Sequence, residues 1–113
     1  MTTPAVTVRE YVDAQGYSAF AVWFDALDAA AAAKVTAALY RLGVGNFSNV
    51  KGVGAGVFER RIDFGPGYRI YFGKDGETIV ILLGGSTKRR QSAAILAAQD
   101  RWQDYKRRVT KEV

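Results

Sequence analysis

The sequence contains no cysteine and no histidine. Without cysteine there are no disulfide bonds, no thiolate metal site and no cysteine nucleophile, and without histidine the usual acid–base group and the commonest metal ligand are missing. No run approaches the ~20 apolar residues of a membrane-spanning helix, and the N-terminus lacks a basic region followed by an apolar one. We therefore expect no metal, no cofactor and no membrane anchor, and a cytoplasmic location by default.

The composition predicts one globular domain over residues 1–113, since 49% of the residues are hydrophobic and 12% are aromatic. The formal net charge of +5 is unevenly distributed. Residues 86–113 carry eight basic and three acidic side chains, whereas residues 1–50 carry three and four. This local excess of positive charge indicates a polyanion or an acidic protein as partner, and a solvated basic helix is the alternative.

Residues 57–88 predict three consecutive strands joined by two tight turns. In the first strand the even-numbered residues lie on one face and the odd-numbered ones on the other, and in the second Tyr68, Ile70 and Phe72 alternate with two polar positions. The third strand, residues 78–83, is apolar throughout, as expected for a strand covered on both faces. One face of the sheet is therefore predicted to be mostly apolar. The other is predicted to face solvent and to carry these side chains: Glu59, Arg61, Arg69 and Tyr71.

The remaining segments predict a strand at residues 7–12 and three helices. The helices span residues 17–27, the stretch from N-cap Asp28 to residue 42, and about 91–109, with Ser86 or Thr87 as a cap for the last. Residues 46–56 predict a loop with a short strand near Val50, and its three alternating glycines are turn positions, because a phosphate-binding fingerprint follows a strand and opens a helix. We expect an α+β fold: a mostly antiparallel twisted sheet, formed by the N-terminal strand and the meander, packed against a helical hairpin, with a C-terminal helix.

This order of elements resembles the RelE/ParE toxin superfamily, most of all its branch of phage-derived or HigB-like addiction module killer proteins. The similarity runs from about residue 20 to residue 106. The segments that carry it are LG and NF before VK (residues 42–51), FERRID (58–63), GPGYRIYF (65–72), and LLGG (82–85) followed by KRRQ (88–91). The resemblance implies a RelE-like fold and a type II toxin–antitoxin pair. For the nuclease members it also implies cleavage of messenger RNA on the ribosome and a cognate antitoxin with a helix-turn-helix domain.

The resemblance also supplies candidate site residues. Arg61 and Arg69 match the basic positions on the meander of nuclease members, and Lys88 and Arg89 match the basic pair after the last strand. From the residues themselves, Glu59 is the candidate general base, and Tyr71 is a candidate proton donor or stacking platform. Three further basic residues complete the predicted RNA-binding set: Arg60, Arg90 and Lys51.

The chemistry predicted from these residues is attack of a ribose 2′-hydroxyl on the neighbouring phosphate. Arg61 and Arg69, on one face of adjacent strands, are placed to hold that phosphate between two guanidinium groups. Two features depart from the family pattern. Nuclease members often place a tyrosine or histidine near the start of the last helix, where this chain has Ala94 and Ile95. Close relatives usually have an acidic residue immediately before that isoleucine, where this chain has Ala94.

Three alternatives stay open at this stage. The polar residues of the meander also fit a solvent-exposed cross-strand ion-pair ladder, formed by Glu59, Arg61, Asp63 and Arg69. The chain also fits a non-enzymatic toxin of the same fold, like the gyrase-directed branch, or a basic binding module that acts in a complex. A nuclease is expected to cleave messages when induced, whereas a gyrase poison is expected to leave messages intact and to damage DNA.

Overall fold

The computed structural model describes residues 5–111, which form a five-stranded mixed sheet and three helices. This confirms the predicted α+β class. The elements in chain order are β1 (Thr7–Glu10), α1 (Ala19–Asp25), α2 (Ala29–Gly43), β2 (Val50–Gly52), β3 (Val57–Ile62), β4 (Tyr68–Asp75), β5 (Ile79–Thr87), a 3-10 turn (Lys88–Arg90) and α3 (Gln91–Lys111).

The sheet has the strand order β1-β5-β4-β3-β2, with β1 parallel to β5 and all other neighbours antiparallel. The predicted meander is confirmed as β3, β4 and β5. The strand β5 is longer than predicted, because Ser86 pairs with Arg69 and Gly85 pairs with Ile70. The two glycines before Ser86 are therefore part of the sheet and not a loop that leads into the last helix.

The helices α1 and α2 cover the first face of the sheet. The side chain of Asp28 accepts a hydrogen bond from the backbone N–H of Ala31 and begins α2 as predicted. The helix α1 is shorter than predicted, because Ser18 caps it by accepting a bond from the N–H of Ala21. The buried residues of this layer are Phe20, Ala31, Val35, Ala38 and Leu42, packed on Ile62, Tyr68, Ile70, Phe72, Val80 and Leu82 of the sheet.

The C-terminal helix α3 covers the second face of the sheet. Ala98 and Trp102 of α3 are buried against Tyr71, Ile81 and Leu83. The prediction that this face is open to solvent is therefore wrong over much of its area. The physical reason lies in β5, whose odd-numbered side chains are also apolar and need a cover that only the apolar stripe of α3 provides.

Two glycines let the tryptophans lie directly on the sheet. A Cβ atom at Gly73 would come within 2.5 Å of the Trp102 ring, and one at Gly85 would come within 2.3 Å of the Trp23 ring. The two indoles lie on opposite faces, Trp102 with α3 and Trp23 with α1. A side chain at either glycine would force the helix above it away from the sheet.

Neither residue that was predicted to cap α3 does so. The Ser86 hydroxyl shares a hydrogen bond of 3.0 Å with the Tyr71 hydroxyl, and Thr87 makes no side-chain capping bond. The other end of α3 is held to β1. There the Tyr11 hydroxyl donates to Asp104 at 2.6 Å, while Arg108 donates to the same carboxylate and, at 2.9 Å, to the carbonyl of Val12.

Candidate phosphate-binding site

Arg61 of β3 and Arg69 of β4 are paired directly opposite each other in the sheet, so their side chains lie on the same face. Both line one open cleft of about 350 Å³ at the end of the meander. The turn between β3 and β4 and the start of the 3-10 turn complete it. The lining residues are Arg61, Asp63, Phe64, Gly65, Pro66, Gly67, Arg69 and Lys88. The prediction that the two arginines lie on one face of adjacent strands is therefore confirmed, and their convergence on one phosphate stays a prediction.

The guanidinium group of Arg69 is buried beside the buried carboxylate of Glu59, its ion-pair partner. Its side chain is 8% exposed, and its Nε lies 3.9 Å from Oε1 of Glu59, which is too long for a hydrogen bond. That Nε has no hydrogen-bond partner at all. Arg69 is thus held at the wall of the cleft by packing and by the ion pair with Glu59, and it lines the cleft with Arg61 and Lys88.

Arg61 lies at the mouth of the cleft and is open to solvent. Its Nε is 3.5 Å from Asp63, and the two side chains are 53% and 79% exposed. An ion pair this exposed contributes little and gives way easily to a phosphate. The predicted ion-pair ladder is therefore present only as this pair and the loose contact between Arg69 and Glu59.

Glu59 lies at the floor of a second cleft, which shares Arg61 with the first. It is 1% exposed, and its Oε2 accepts a hydrogen bond of 2.8 Å from Nε2 of Gln91, the first residue of α3. Its Oε1 is 3.8 Å from Nζ of Lys51. Together with Lys51 and Arg61 it lines a small cleft of about 160 Å³. The side-chain amide of Gln91 thus orients the Glu59 carboxylate, which lies between the cations of Lys51 and Arg69.

Gln91 was missed by the sequence reasoning. Its only signal was its place directly after three basic residues, at the beginning of the last helix. A glutamine there has no periodic or charge signature that would tie it to a strand 32 residues earlier in the chain.

Tyr71 does not reach the cleft. Its side chain is fully buried, and its hydroxyl is bonded to Ser86 beneath α3. Burial raises the pKa of the Tyr71 hydroxyl to about 12, with the nearby Glu59 as a smaller cause. The prediction that Tyr71 stacks on a base is wrong for this conformation, and its proton is held in the core.

The other predicted residues fall into two groups. Lys88 lines the cleft, while Arg89, Arg90 and Lys51 are exposed. Lys51 of β2 is paired with Glu59 in the sheet. Arg60 does not belong to this site, because β3 directs it to the α2 side of the sheet, where it is 4% exposed. Arg60 therefore does not join the other predicted RNA-binding residues at this cleft, and among residues 5–111 it has no salt bridge.

Ala94 and Ile95 are half-buried on α3 and pack against the core beneath that helix. They present no polar group to the cleft. Within the described part of the chain, no three histidine, cysteine or acidic side chains cluster to hold a metal ion. No helix between residues 5 and 111 has the length and apolar character to cross a membrane.

Comparison with known proteins finds a relative in Haemophilus influenzae. The chain is 45% identical over 69 residues to an uncharacterized protein of Haemophilus influenzae, a match that spans 61% of this chain and 70% of that protein. No model of a known protein family matches the chain, and no solved structure matches it.

Proposed function

We propose a function for this chain, which belongs to the same family as the uncharacterized Haemophilus influenzae protein. In this proposal the chain is a toxin of the RelE/ParE superfamily, from a type II toxin–antitoxin pair. The toxin cleaves messenger RNA on the ribosome without a metal ion. The observation that carries the proposal is the pairing of Arg61 with Arg69 on the wall of one cleft, with Lys88 beside them.

The arginines are suited to the charge that develops during cleavage. When a ribose 2′-oxygen attacks the adjacent phosphorus, the bond to the 5′-oxygen breaks, and a 2′,3′-cyclic phosphate and a 5′-hydroxyl result. The phosphorane between these states gains negative charge on its equatorial oxygens. Two guanidinium forks that cannot deprotonate stabilise that charge, and their geometry matches pairs of phosphate oxygens.

Glu59 is the base in this proposal. It accepts the proton of the 2′-hydroxyl, and Gln91 positions it through the bond to Oε2, which leaves Oε1 toward Lys51 and Arg69. Since Tyr71 is buried and bonded to Ser86, the proton for the departing 5′-oxygen comes from Lys88 or from water. Because Glu59 lies on the floor of a small cleft, the RNA has to enter beside Lys51 to reach it.

The partner in this proposal is a cognate antitoxin with a helix-turn-helix domain. Its inhibitory segment blocks cleavage by covering the cleft of Arg61 and Arg69 or by displacing α3, which covers Glu59 and Tyr71. An acidic segment suits the first route, since the cleft is lined by three cations and one acid.

A second candidate function is RNA binding without cleavage. The observation that favours it is the burial of both predicted acid–base side chains, since Glu59 is 1% exposed and Tyr71 is 0% exposed. In that case the toxin would block the ribosome by occupying it, and messages would stay whole.

Expression in cells separates these functions. Induction of the wild type is expected to stop growth and to leave messages with mapped internal breaks, while Arg61→Gln leaves growth and messages intact at equal protein level. Arg9→Gln is the matched control, because Arg9 is exposed on β1, at the edge of the sheet farthest from β2. Growth arrest with whole messages favours binding alone, and DNA damage with whole messages favours a gyrase-directed toxin. Arg61→Gln that kills as well as the wild type ends the proposal.

A further inference from the structure

A second cationic cleft lies on the opposite face of the sheet, between α2 and β3. It has a volume of about 250 Å³. Four of its lining residues are basic and one is acidic. The lining residues are Lys34, Ala37, Ala38, Arg41, Asn49, Arg60, Arg61, Ile62 and Asp63.

Arg60 is the buried member of this cleft. It is 4% exposed, and one of its terminal nitrogens donates to the backbone carbonyl of Arg61. Its Nε is buried and has no hydrogen-bond partner. Among residues 5–111 no carboxylate forms a salt bridge with it. A buried guanidinium without a counter-ion is costly, so an anion in the cleft that Arg60 lines offsets part of that cost.

Arg41 adds a second charge of the same sign. Burial lowers the pKa of the Arg60 guanidinium below its ordinary value, and the repulsion from Arg41 lowers it further. A position in the last turn of α2 explains Arg41 in part, because cations are favoured at the C-terminal end of a helix. That reason does not apply to Arg60, which lies on a strand. Two repelling cations around one cavity indicate a site for an anion.

The two clefts meet at Arg61. Its exposed side chain lines both the cleft that holds Arg69 and the cleft that holds Arg60. Asp63 also lines both clefts. Two clefts that share Arg61 at the end of β3 are therefore lined by six cations: Lys88, Arg69, Arg61, Arg60, Arg41 and Lys34. Grooves that bind single-stranded nucleic acid follow the backbone with positive charge in this way.

We infer that the cleft of Arg60, Arg41 and Lys34 binds a backbone phosphate of a single-stranded RNA that continues from the cleft of Arg61 and Arg69. This inference rests on the proposed function for its choice of RNA. Arginine suits the ligand, because its fork bonds two oxygens of a phosphate. Asp63 is the one carboxylate among the lining residues of this cleft, and it is exposed and paired with Arg61.

The first test uses inorganic phosphate and the Nε–H signal of Arg60 in an NMR spectrum. Phosphate is expected to shift that signal and to raise the Tm, relative to chloride at the same ionic strength. Arg41→Gln is expected to weaken both effects several-fold, while Arg9→Gln leaves them unchanged. Both replaced side chains are exposed, so neither variant disturbs the core. An Arg60 signal that phosphate does not move, or that moves equally in Arg41→Gln, overturns the inference.

The second test uses a single-stranded oligoribonucleotide whose 2′-hydroxyls are methylated, so that it cannot be cleaved. The logarithm of its binding constant falls with the logarithm of salt concentration, by about 0.7 for each phosphate contact on a single strand. Arg41→Gln is expected to reduce the slope by up to that amount, and Arg9→Gln is expected to keep the wild-type slope. An unchanged slope in Arg41→Gln, or tighter binding of an acidic peptide of equal length and charge, overturns the assignment to RNA.

These tests do not depend on catalysis. A wild-type protein that binds the methylated strand through Arg41 but leaves natural RNA whole contradicts cleavage and retains the second phosphate site. A protein that cleaves natural RNA, with Arg41→Gln equal to the wild type in binding and salt slope, retains cleavage and contradicts the second site.

Discussion

Arg61 and Arg69 are cross-strand partners that differ sharply in burial, because Arg61 is exposed at the mouth of the cleft while Arg69 is 7% exposed in its wall. The buried partner is fixed by packing and the exposed one is free to close on a ligand. Since a lysine keeps the charge of Arg61 but loses its planar fork, Arg61→Lys tests the geometry of the pair. We expect a cleavage rate between those of the wild type and Arg61→Gln, with Arg61→Gln lower than the wild type by about 10²–10³-fold. The measurement is single-turnover cleavage of a short RNA. Equal rates for Arg61→Lys and Arg61→Gln would show that the planar fork is essential. Equal rates for Arg61→Lys and the wild type would show that charge alone suffices.

Tyr71→Phe tests whether the buried hydroxyl takes part in chemistry. It removes the hydroxyl that bonds Ser86 and leaves a buried polar atom without its partner, which costs about 1–3 kcal/mol of unfolding free energy. We expect the cleavage rate per folded molecule to stay unchanged. Urea unfolding and a single-turnover assay at a temperature where both proteins are folded measure the two quantities. A rate that falls tenfold or more while the protein stays folded would return Tyr71 to the catalytic site.

Gly73→Ala tests the packing of α3 on the sheet. The new methyl group would lie 2.5 Å from the Trp102 ring, a contact that neither the strand nor the rigid indole can relieve easily. We expect a loss of about 1–3 kcal/mol in unfolding free energy, as for other overpacked cores. Gly52→Ala is the control, because no atom lies within 4 Å of its added Cβ, and we expect a change within about 0.5 kcal/mol. Urea midpoints that fall equally in both variants would contradict the close packing of Trp102.

Asp104→Asn tests the contacts that hold the end of α3 to β1. Hydrogen bonds from Tyr11 and Arg108 lower the pKa of Asp104 from 3.8 to about 2. A carboxyl whose pKa is lower in the folded state adds stability above its unfolded pKa, and this is lost as the pH falls through the folded pKa. We therefore expect the free energy of unfolding to rise less between about pH 2 and pH 4 in Asp104→Asn than in the wild type.

The control for this comparison is Asp100→Asn, which removes an exposed carboxyl from the same helix. Its unfolding free energy is expected to follow the wild-type dependence on pH. If Asp104→Asn and Asp100→Asn show the same dependence, the contacts of Asp104 with Tyr11 and Arg108 do not stabilise the folded state.

Local sequence signals were sufficient to predict the meander, the cap of α2 and the pairing of Arg61 with Arg69. Alternation of side chains, an Asp followed by an alanine run, and turns rich in glycine each depend on neighbours within a few residues. The alternation of side chains along β3 and β4 is enough to place both arginines on one face of the sheet. The cleft around them follows from the Gly65-Pro66-Gly67 turn, which the sequence also shows.

The cover over that face could not be read from β3 and β4. Whether Glu59 and Tyr71 face water depends on where α3 docks, and the docking depends on Trp102 meeting the bare backbone of Gly73, a contact 29 residues apart in the chain. The same long-range packing produces the bond from Gln91 to Glu59. The alternation of β3 places Arg60 on the apolar face, but its position beside Arg41 depends on how α2 packs on β3, which neither segment shows alone.

The central claim is that the paired arginines hold a phosphate for cleavage without a metal ion. Its most direct test is incubation of the purified protein with a single-stranded messenger fragment, free in excess EDTA and, separately, on translating ribosomes in a buffer that contains Mg²⁺. The account predicts that the wild type and Arg9→Gln leave 2′,3′-cyclic phosphate and 5′-hydroxyl ends on the fragment, and that Arg61→Gln leaves it whole. Cleavage by Arg61→Gln at the wild-type rate, or an intact fragment with the wild type on translating ribosomes, would contradict it.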